Sequence, residues 1–344
     1  MVYIARDSPD KETKITYDDS IKIYHIPRKL HLTYLFDFNY LKIIRMEKIR
    51  FFYFRNDSPY NFLTWVYSRL FSCVFVHANT SDWYTNPYRF TSHTWSLRSR
   101  NLFKTSLLLV EYFLMDFFLN FCIRHSDRTI VETDFQYESF SREFGIKPTI
   151  IRGSHPLPTG DDFVKSNPPE VLWVANAKPL KRPELFLHLA TQMQGDRAQF
   201  VMVVGKTSPT YLTELRKKAD LLDNLTLHEE LPLDEVERLF ERASVFVNTS
   251  EYESIPNTYI QAWLRRTPVV TLECDPDGII EQNQLGFHSR TMENLLSQTR
   301  LLTENISLRT AIGNKARAYA NENHSLHRST LMLESIFHTI SLMR

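Results

Sequence analysis

Apolar and polar positions follow a repeating order along the second half of the chain. The run Val171-Leu172-Trp173-Val174-Ala175 is followed by Pro183, which opens a pattern with Leu185, Phe186, Leu189 and Met193 on one side and Gly195 at its end. A short apolar run reads as a buried strand; apolar residues three and four apart read as one face of a helix. The pair of signals recurs: a strand at 200–204 stopped by Gly205, a helix from Ser208-Pro209 to about 222, a brief strand at 225–227, and a helix capped by Asp234 through 243. Then come a strand at 245–247, a helix near 257–266, a strand at 268–272 and a helical tail from about 291. This alternation predicts a parallel sheet covered on both faces. Ligands of such sheets bind beyond the carboxyl ends of the strands. The polar stretches there are 176–182, Gly205-Lys206, 228–230 and 249–257.

The first half is less regular. Strands are expected at 2–5, 21–26, 73–76 (ending at His77) and 128–131, with a helix at 134–144 and a strand beginning at Ile150-Ile151. The segment 153–169 holds Gly153, Pro156, Pro158, Gly160, Pro168 and Pro169 and marks a boundary. The apolar stretch 105–123 carries Glu111, Asp116 and Asn120, so it reads as a buried or surface-lying helix rather than a membrane span. The domains expected are 1–152, a linker at 153–169, a second domain at 170–326 and a last helix, 327–344, returning to the first domain.

Composition narrows the class. The 344 residues are 43% hydrophobic and 24% charged, as in globular proteins. Cys73, Cys122 and Cys274 show no metal or disulfide spacing. Glycine first occurs at Gly145, which excludes a phosphate-cradling glycine loop near the start. Net charge is +1, yet 22–104 holds thirteen basic and four acidic residues among many aromatics. That stretch reads either as an aromatic core with solvated cations or as a face for an anionic membrane. Nucleic acid is not expected as a partner, because no nucleic-acid fold signature accompanies it.

Two loops carry candidate chemistry. Residues 251–258, Glu251-Tyr252-Glu253-Ser254-Ile255-Pro256-Asn257-Thr258, follow a strand and open a helix that continues to Gln261 and Trp263. A helix start offers free backbone amides and a positive dipole end, which suits phosphate. The same spacing also fits a capped helix with solvated acids. The loop Asn176-Ala177-Lys178-Pro179-Leu180-Lys181-Arg182-Pro183 brings three cations to the same sheet edge. These would neutralise a diphosphate, or simply be solvated. Asp275-Pro276-Asp277 mimics a metal motif but precedes Gly278 and reads as a turn. The acceptor sequons at Asn79 and Asn248 read as chance.

These loops resemble those of the retaining glycosyltransferases of family 4, the group 1 type with the GT-B fold. The carriers are the strand and loop from Trp173 to Lys181 and the match of Glu253-Ser254-Ile255-Pro256-Asn257-Thr258-Tyr259-Ile260-Gln261 to E-x-F-P-N-x-x-x-E. Pro268-Val269-Val270 and the stretch 126–136 add to it. The resemblance covers about 125–330 well and 1–124 weakly. It implies an α/β protein of two Rossmann-like domains with parallel sheets facing a cleft. It implies transfer of a hexosyl unit from a nucleoside-diphosphate sugar to an acceptor hydroxyl, with retention, in surface polysaccharide or glycolipid assembly.

The resemblance also implies roles. Lys181 would hold the diphosphate together with amides near Ile255, Pro256, Asn257 and Thr258. Glu253 would contact donor-sugar hydroxyls, and Gln261 the ribose. His77 resembles the family's strand-end histidine facing the donor sugar. Asn176, Lys178, Arg182, Gly205 and Lys206 complete the expected donor site. No metal or other cofactor is expected, since Lys181 and a helix end would stabilise the leaving diphosphate. Asn176 stands where many relatives have Arg, and Gln261 where they have Glu. The family's opening strand and glycine-rich loop are not found ahead of the strand at 2–5, so the first domain is expected to be incomplete. A lipid-linked or glycan acceptor and a cytoplasmic location, peripheral at the membrane's inner face, follow as expectations. The alternatives are an inactive binding or assembly partner and a nucleotide-sugar epimerase.

Overall fold

The computed structural model describes residues 2–8, 14–18, 21–27, 37–55, 57–58, 60–96 and 102–342. The chain forms two compact units, 1–150 with 337–344, and 151–336.

In the first unit β1 (Val2–Ser8) pairs in parallel with β3 (Ile21–Pro27), and β2 (Lys14–Asp18) runs antiparallel to β3. The hairpin partner β2 was not anticipated. Next come α1 (Phe38–Met46), β4 (Phe51–Arg55), α2 (Tyr60–Leu70), β5 (Val74–Ala78), α3 (Arg89–Ser96) and α4 (Leu102–Arg124). Then follow β6 (Arg128–Val131), α5 (Asp134–Phe144) and β7 (Thr149–Ile150). Strands β4, β5, β6 and β7 form a parallel sheet in that order. The sequence pattern missed β4, because Phe51-Phe52-Tyr53-Phe54 has no polar alternation, yet only Phe52 of the four is fully buried. Helix α5 is set by local chemistry: Thr133 Oγ1 accepts from the Gln136 amide, and Gly145 ends the helix in the left-handed region at φ 68°.

The aromatics of 22–104 serve the core first. Tyr24, Tyr40, Phe52, Tyr60 and Phe75 are buried in one cluster with Ile43, Ile44 and Cys122. Residues 28–36, 56, 59 and 97–101 of that stretch lie outside the described residues.

The second unit contains β8 (Glu170–Ala175), α6 (Pro183–Gln192), β9 (Gln199–Val204), α7 (Pro209–Ala219), β10 (Leu225–Glu229) and α8 (Leu233–Arg242). It continues with β11 (Val245–Asn248), α9 (Asn257–Leu264), β12 (Val269–Thr271), α10 (Ile279–Asn283), β13 (Gly286–His288), α11 (Met292–Glu304) and α12 (Ile306–Asn323). Helix α13 (Leu326–Leu342) closes the chain; Phe337 packs its ring on Phe51, centroids 5.8 Å apart. Segment 153–169 belongs with the second unit, tied by His155 N to His324 O and Ser166 N to Arg242 O.

The strand order is β10-β9-β8-β11-β12-β13, parallel throughout. Side chains alternate with period two. Val171, Trp173, Phe200, Met202, Val204, Val245, Val247 and Val270 face one helical layer with Phe186, Leu215 and Leu295. Leu172, Val201, Val203, Phe246 and Val269 face the other, with Phe240, Ile260 and Trp263. Both faces being covered explains why these strands read as continuous apolar runs. Strand β13 was missed because its side chains are half-buried and Gly286 opens it at φ 152°. Asp234 does not cap α8; Pro232 holds that position and Asp234 sits in the first turn, where its charge favours the helix dipole.

Candidate active site

The strand order reverses between β8 and β11: β9 and β10 extend the sheet one way, β12 and β13 the other. A crevice opens where two adjacent strands send their chains in opposite directions. The loops leaving these two strands are 176–182 and 249–256.

Three hydrogen bonds lock the loops together. Glu251 N donates to Leu180 O at 3.0 Å, Thr249 Oγ1 to Lys181 O at 2.7 Å, and Arg182 Nε to Thr249 O at 2.8 Å. Trp173 Nε1 donates to the same Thr249 Oγ1 at 3.0 Å, so the sheet floor fixes the junction. Arg182 occupies the left-handed region at φ 46°, a strained setting for a residue with a β-carbon, and its Nη1 also meets Glu273 Oε1 at 2.9 Å. Arg182 therefore clamps the loops.

The clamp sets Lys181 against Glu253. Their Nζ and Oε2 form an ion pair, both side chains about 19% exposed. The other carboxylate oxygen is held from two sides: Ser250 Oγ donates to Oε1 at 2.6 Å and Asn248 Nδ2 at 3.1 Å. Asn248 Oδ1 in turn accepts from Ser250 N at 2.6 Å. A charge-assisted set of this kind fixes a carboxylate in one orientation. Beneath it, Cys274 Sγ–H points at Glu253 O; burial pushes this thiol up to about 12, so it stays protonated.

Helix α9 begins beside the pair. Pro256 holds its N-cap and no side chain caps it; Tyr259 N turns back to Pro256 O at 3.0 Å, which leaves the Asn257 and Thr258 amides as the donors at the helix start. Lys181, Glu253, Asn257 and Thr258 line one cavity of about 410 Å³ with Asn176, Lys178, Asn248 and Ser250. That volume is within the usual range for small-molecule sites. Asn176 joins a third loop to the site, its Oδ1 accepting from Lys206 N at 2.9 Å. Gly205 lets Asn176 take this position, since a β-carbon there would push its Oδ1 aside.

The other expected residues are placed differently. Arg182, Gly205, Lys206, Ile255, Pro256 and Gln261 are not among the cavity-lining residues. Ile255 and Pro256 are buried, and Gln261 is 7% exposed inside α9. His77 belongs to the first unit and has no exposed surface. Its Nε2 lies 3.0 Å from Asp57 Oδ1, and Asp57 is ion-paired with Arg89 Nε; all three side chains are fully buried. Burial alone would raise the Asp57 carboxyl, but the Arg89 charge and the His77 bond hold it below its ordinary range. His77, expected to face a donor, is thus buried at one end of a polar network in which Asp57 joins it to Arg89. Asp275 is likewise a capping residue. Its carboxylate accepts from the Ile280 and Glu281 amides at 2.8 and 3.2 Å, and Pro276–Gly278 is a tight turn.

Comparison with known proteins fits this geometry. Residues 161–319 match the family described as glycosyl transferases group 1. That match lies within the second unit. A Xenopus tropicalis protein, "Glycosyltransferase 1 domain-containing protein 1", is 24% identical over 135 residues, 38% of this chain and 39% of that protein. The chain thus spans well under two thirds of this relative. Among solved structures, a sucrose-phosphate synthase from Thermosynechococcus elongatus superimposes with a TM-score of 0.73 at 14% identity, over 100% of this chain and 89% of that one. A TarM variant from S. aureus, solved with fondaparinux, α-GlcNAc-glycerol and UDP, gives 0.59 at 17% identity, over 76% and 50%. The fold is GT-B, built from two Rossmann-like domains.

In the second unit, sequence reasoning found Lys181 and Glu253 but not what positions them. Asn248 looked like a stray sequon, and Ser250 lay unremarked in the flagged stretch 249–257. A run of small polar residues directly after a buried strand, Asn248-Thr249-Ser250, was the available signal.

Proposed function

We propose that this chain transfers a hexosyl unit, with retention, from a nucleoside-diphosphate sugar to an acceptor hydroxyl of a glycan or lipid-linked glycan. The observation that carries this reading is the Lys181–Glu253 pair lining one cavity with the uncapped start of α9.

The pair explains how Lys181 and Glu253 neutralise each other in the free site and how the donor separates them. A diphosphate carries more negative charge than one carboxylate and competes for Lys181 Nζ. When Lys181 turns to phosphate, Glu253 Oε2 becomes available to a sugar hydroxyl. Oε1 stays anchored on Ser250 and Asn248. As the glycosidic bond breaks, negative charge grows on the leaving oxygen, where Lys181 and the α9 amides await it. Positive charge grows on the sugar ring, on the side of Glu253. The new bond forms from the acceptor oxygen to the anomeric carbon, and the acceptor proton leaves with the diphosphate. Lys181 supplies the charge a metal would otherwise bring, so we expect transfer to continue in the presence of a chelator. Lys178, which lines the same cavity, would add a second cation to the phosphates. The reading is supported by the UDP in the TarM structure.

The test is a thermal-shift panel with UDP, GDP, ADP and CMP, followed by donor turnover. A ligand at 100 times its dissociation constant adds about 2.7 kcal/mol of stability. One nucleotide should raise the melting temperature, and Lys181→Ala should remove that rise and lower turnover by about 10²–10³-fold. If no nucleotide binds the folded protein, the transferase reading fails. If the donor is converted to a free, altered sugar without acceptor, the chemistry is epimerisation.

A further inference from the structure

Helix α4 buries Leu119, Cys122 and Ile123, yet it also turns polar side chains inward and large apolar ones outward. A helix at the surface of a water-soluble domain turns its charges to solvent and its apolar residues to the core. Here Asp116 is 1% exposed, and its carboxylate accepts from Phe90 N at 3.2 Å, Thr91 N at 2.9 Å and Thr91 Oγ1 at 2.7 Å, capping the start of α3. Asn120 also points inward, donating to Pro87 O at 2.8 Å and accepting from Arg89 Nη1 at 2.9 Å. The outward positions are Val110, Phe113 and Phe117, 58%, 53% and 56% exposed. They are three and four residues apart and so form one stripe. Glu111 is half-buried on the flank.

The surroundings match an interface between water and lipid. Phe90 packs on Tyr112 of α4 and on Trp83, and Trp83 and Tyr88 are exposed. Such rings place an apolar body and a polar tip at a membrane boundary. The sequence from 91 to 110 contains Arg98, Arg100 and Lys104 and no acidic residue, and Arg124 is exposed at the far end of α4. Among the described residues, no helix is long and apolar enough to cross a membrane, so α4 is suited to lie in the interface plane.

We propose that the first unit docks on an anionic lipid surface through α4, with Val110, Phe113 and Phe117 among the acyl chains and the basic sequence that leads into α4 supplying the attraction to the headgroups. One apolar anchor binds weakly; an anchor with a basic flank gives stable attachment. The same flank disfavours a second copy of this chain as the occupant, since like charges would meet. The proposal does not depend on the transfer reading, because docking requires neither donor nor acceptor.

The experiment is flotation of the full chain with vesicles of phosphatidylcholine alone and of phosphatidylcholine mixed with phosphatidylglycerol, at low and high salt. The chain should float with the mixed vesicles and less so at high salt. Val110→Ser, Phe113→Ser and Phe117→Ser combined should lower the bound fraction about tenfold or more. Arg98→Gln, Arg100→Gln and Lys104→Gln combined should remove the preference for the anionic lipid. Leu221→Ser, an equally exposed apolar change in the second unit, should leave flotation unchanged. Melting curves report folding, and if the stripe variant does not fold, the basic variant carries the test. A chain that floats with neither vesicle overturns the proposal, as does a stripe variant that floats like the wild type. So does a lipid-free dimer that the stripe variant splits, which would assign the face to a second copy.

Discussion

Each unit brings one set of opposite charges together, and the two sets differ in their access to solvent. In the second, Lys181 and Glu253 meet in a cavity at the carboxyl edge of one sheet and keep some contact with solvent. In the first, Asp57, His77 and Arg89 are closed off completely, and α4 folds Asp116 and Asn120 inward while Val110, Phe113 and Phe117 are open. A charge at a cavity stays available for a ligand. A charge sealed in a core serves the architecture alone, and the chain pays its desolvation whether or not a substrate arrives. The comparison predicts that the first unit is the more fragile under mutation of its polar groups, and the second the more sensitive in function.

The largest effect should come from Arg89→Met. Removing one member of a buried ion pair leaves the other uncompensated and typically costs 3–5 kcal/mol. Asp57 would then have only His77 within its network, and α4 would lose the Asn120 contact. Hydrogen exchange resolved by residue should show the loss in the first unit, with strands β8 to β12 of the second still protected. Loss spread evenly over both units would refute the separation drawn here.

The pH dependence should run in opposite directions. Burial pushes the Glu132 carboxyl in the first unit up to about 7, with Arg55 opposing and Asp82 adding to the rise. Its folded value lies above its unfolded one, so the folded state holds the proton longer, and stability falls as pH rises from about 4.5 to 7. In the second unit, burial lowers His324 to about 4, while its Nδ1–H donates to Gly153 O at 2.6 Å. Its folded value lies below its unfolded one, so stability is present above about 6.5 and is lost as pH falls toward 4. Each shift is worth roughly 3 kcal/mol at most. Between about pH 4.5 and 6.5, local opening measured by exchange should therefore ease in the second unit and worsen in the first as pH rises. Glu132→Gln and His324→Gln should each flatten one trend and leave the other.

Legibility in the sequence followed the same division. In the second unit, β8, β9, β11 and β12 alternate between two helical layers, so each of these four announced itself as an apolar run, whereas half-buried β13 did not; Ser208 and Thr291 cap their helices through Tyr211 N and Asn294 N. Lys181 and Glu253 were legible because loops that leave adjacent parallel strands must meet. In the first unit, Asp57, His77 and Arg89 meet from three separate elements, and nothing in local spacing joins them. Strand β4 lacked alternation because its neighbours bury only part of it. The turn chemistry of Thr133 and Gly145 was the exception, being local, and α5 was read within its true bounds.

The smallest expected effect is also the one that best isolates the role of Glu253. Ser250→Ala removes the 2.6 Å bond to Glu253 Oε1 while Asn248 Nδ2 remains on that oxygen. Loss of one hydrogen bond to a charged group is worth about 1.5 kcal/mol, or roughly tenfold in kcat/KM. The carboxylate would be free to rotate toward Lys181 in the unloaded site, but the diphosphate contacts of Lys181 and α9 would be intact. The variant should therefore bind the free nucleotide as the wild type does and transfer the sugar about tenfold more slowly. Equal losses in nucleotide binding and in transfer would mean that Ser250 positions Lys181 as well, through the shared ion pair, and that the two charges act as one unit rather than as separate holders of phosphate and sugar.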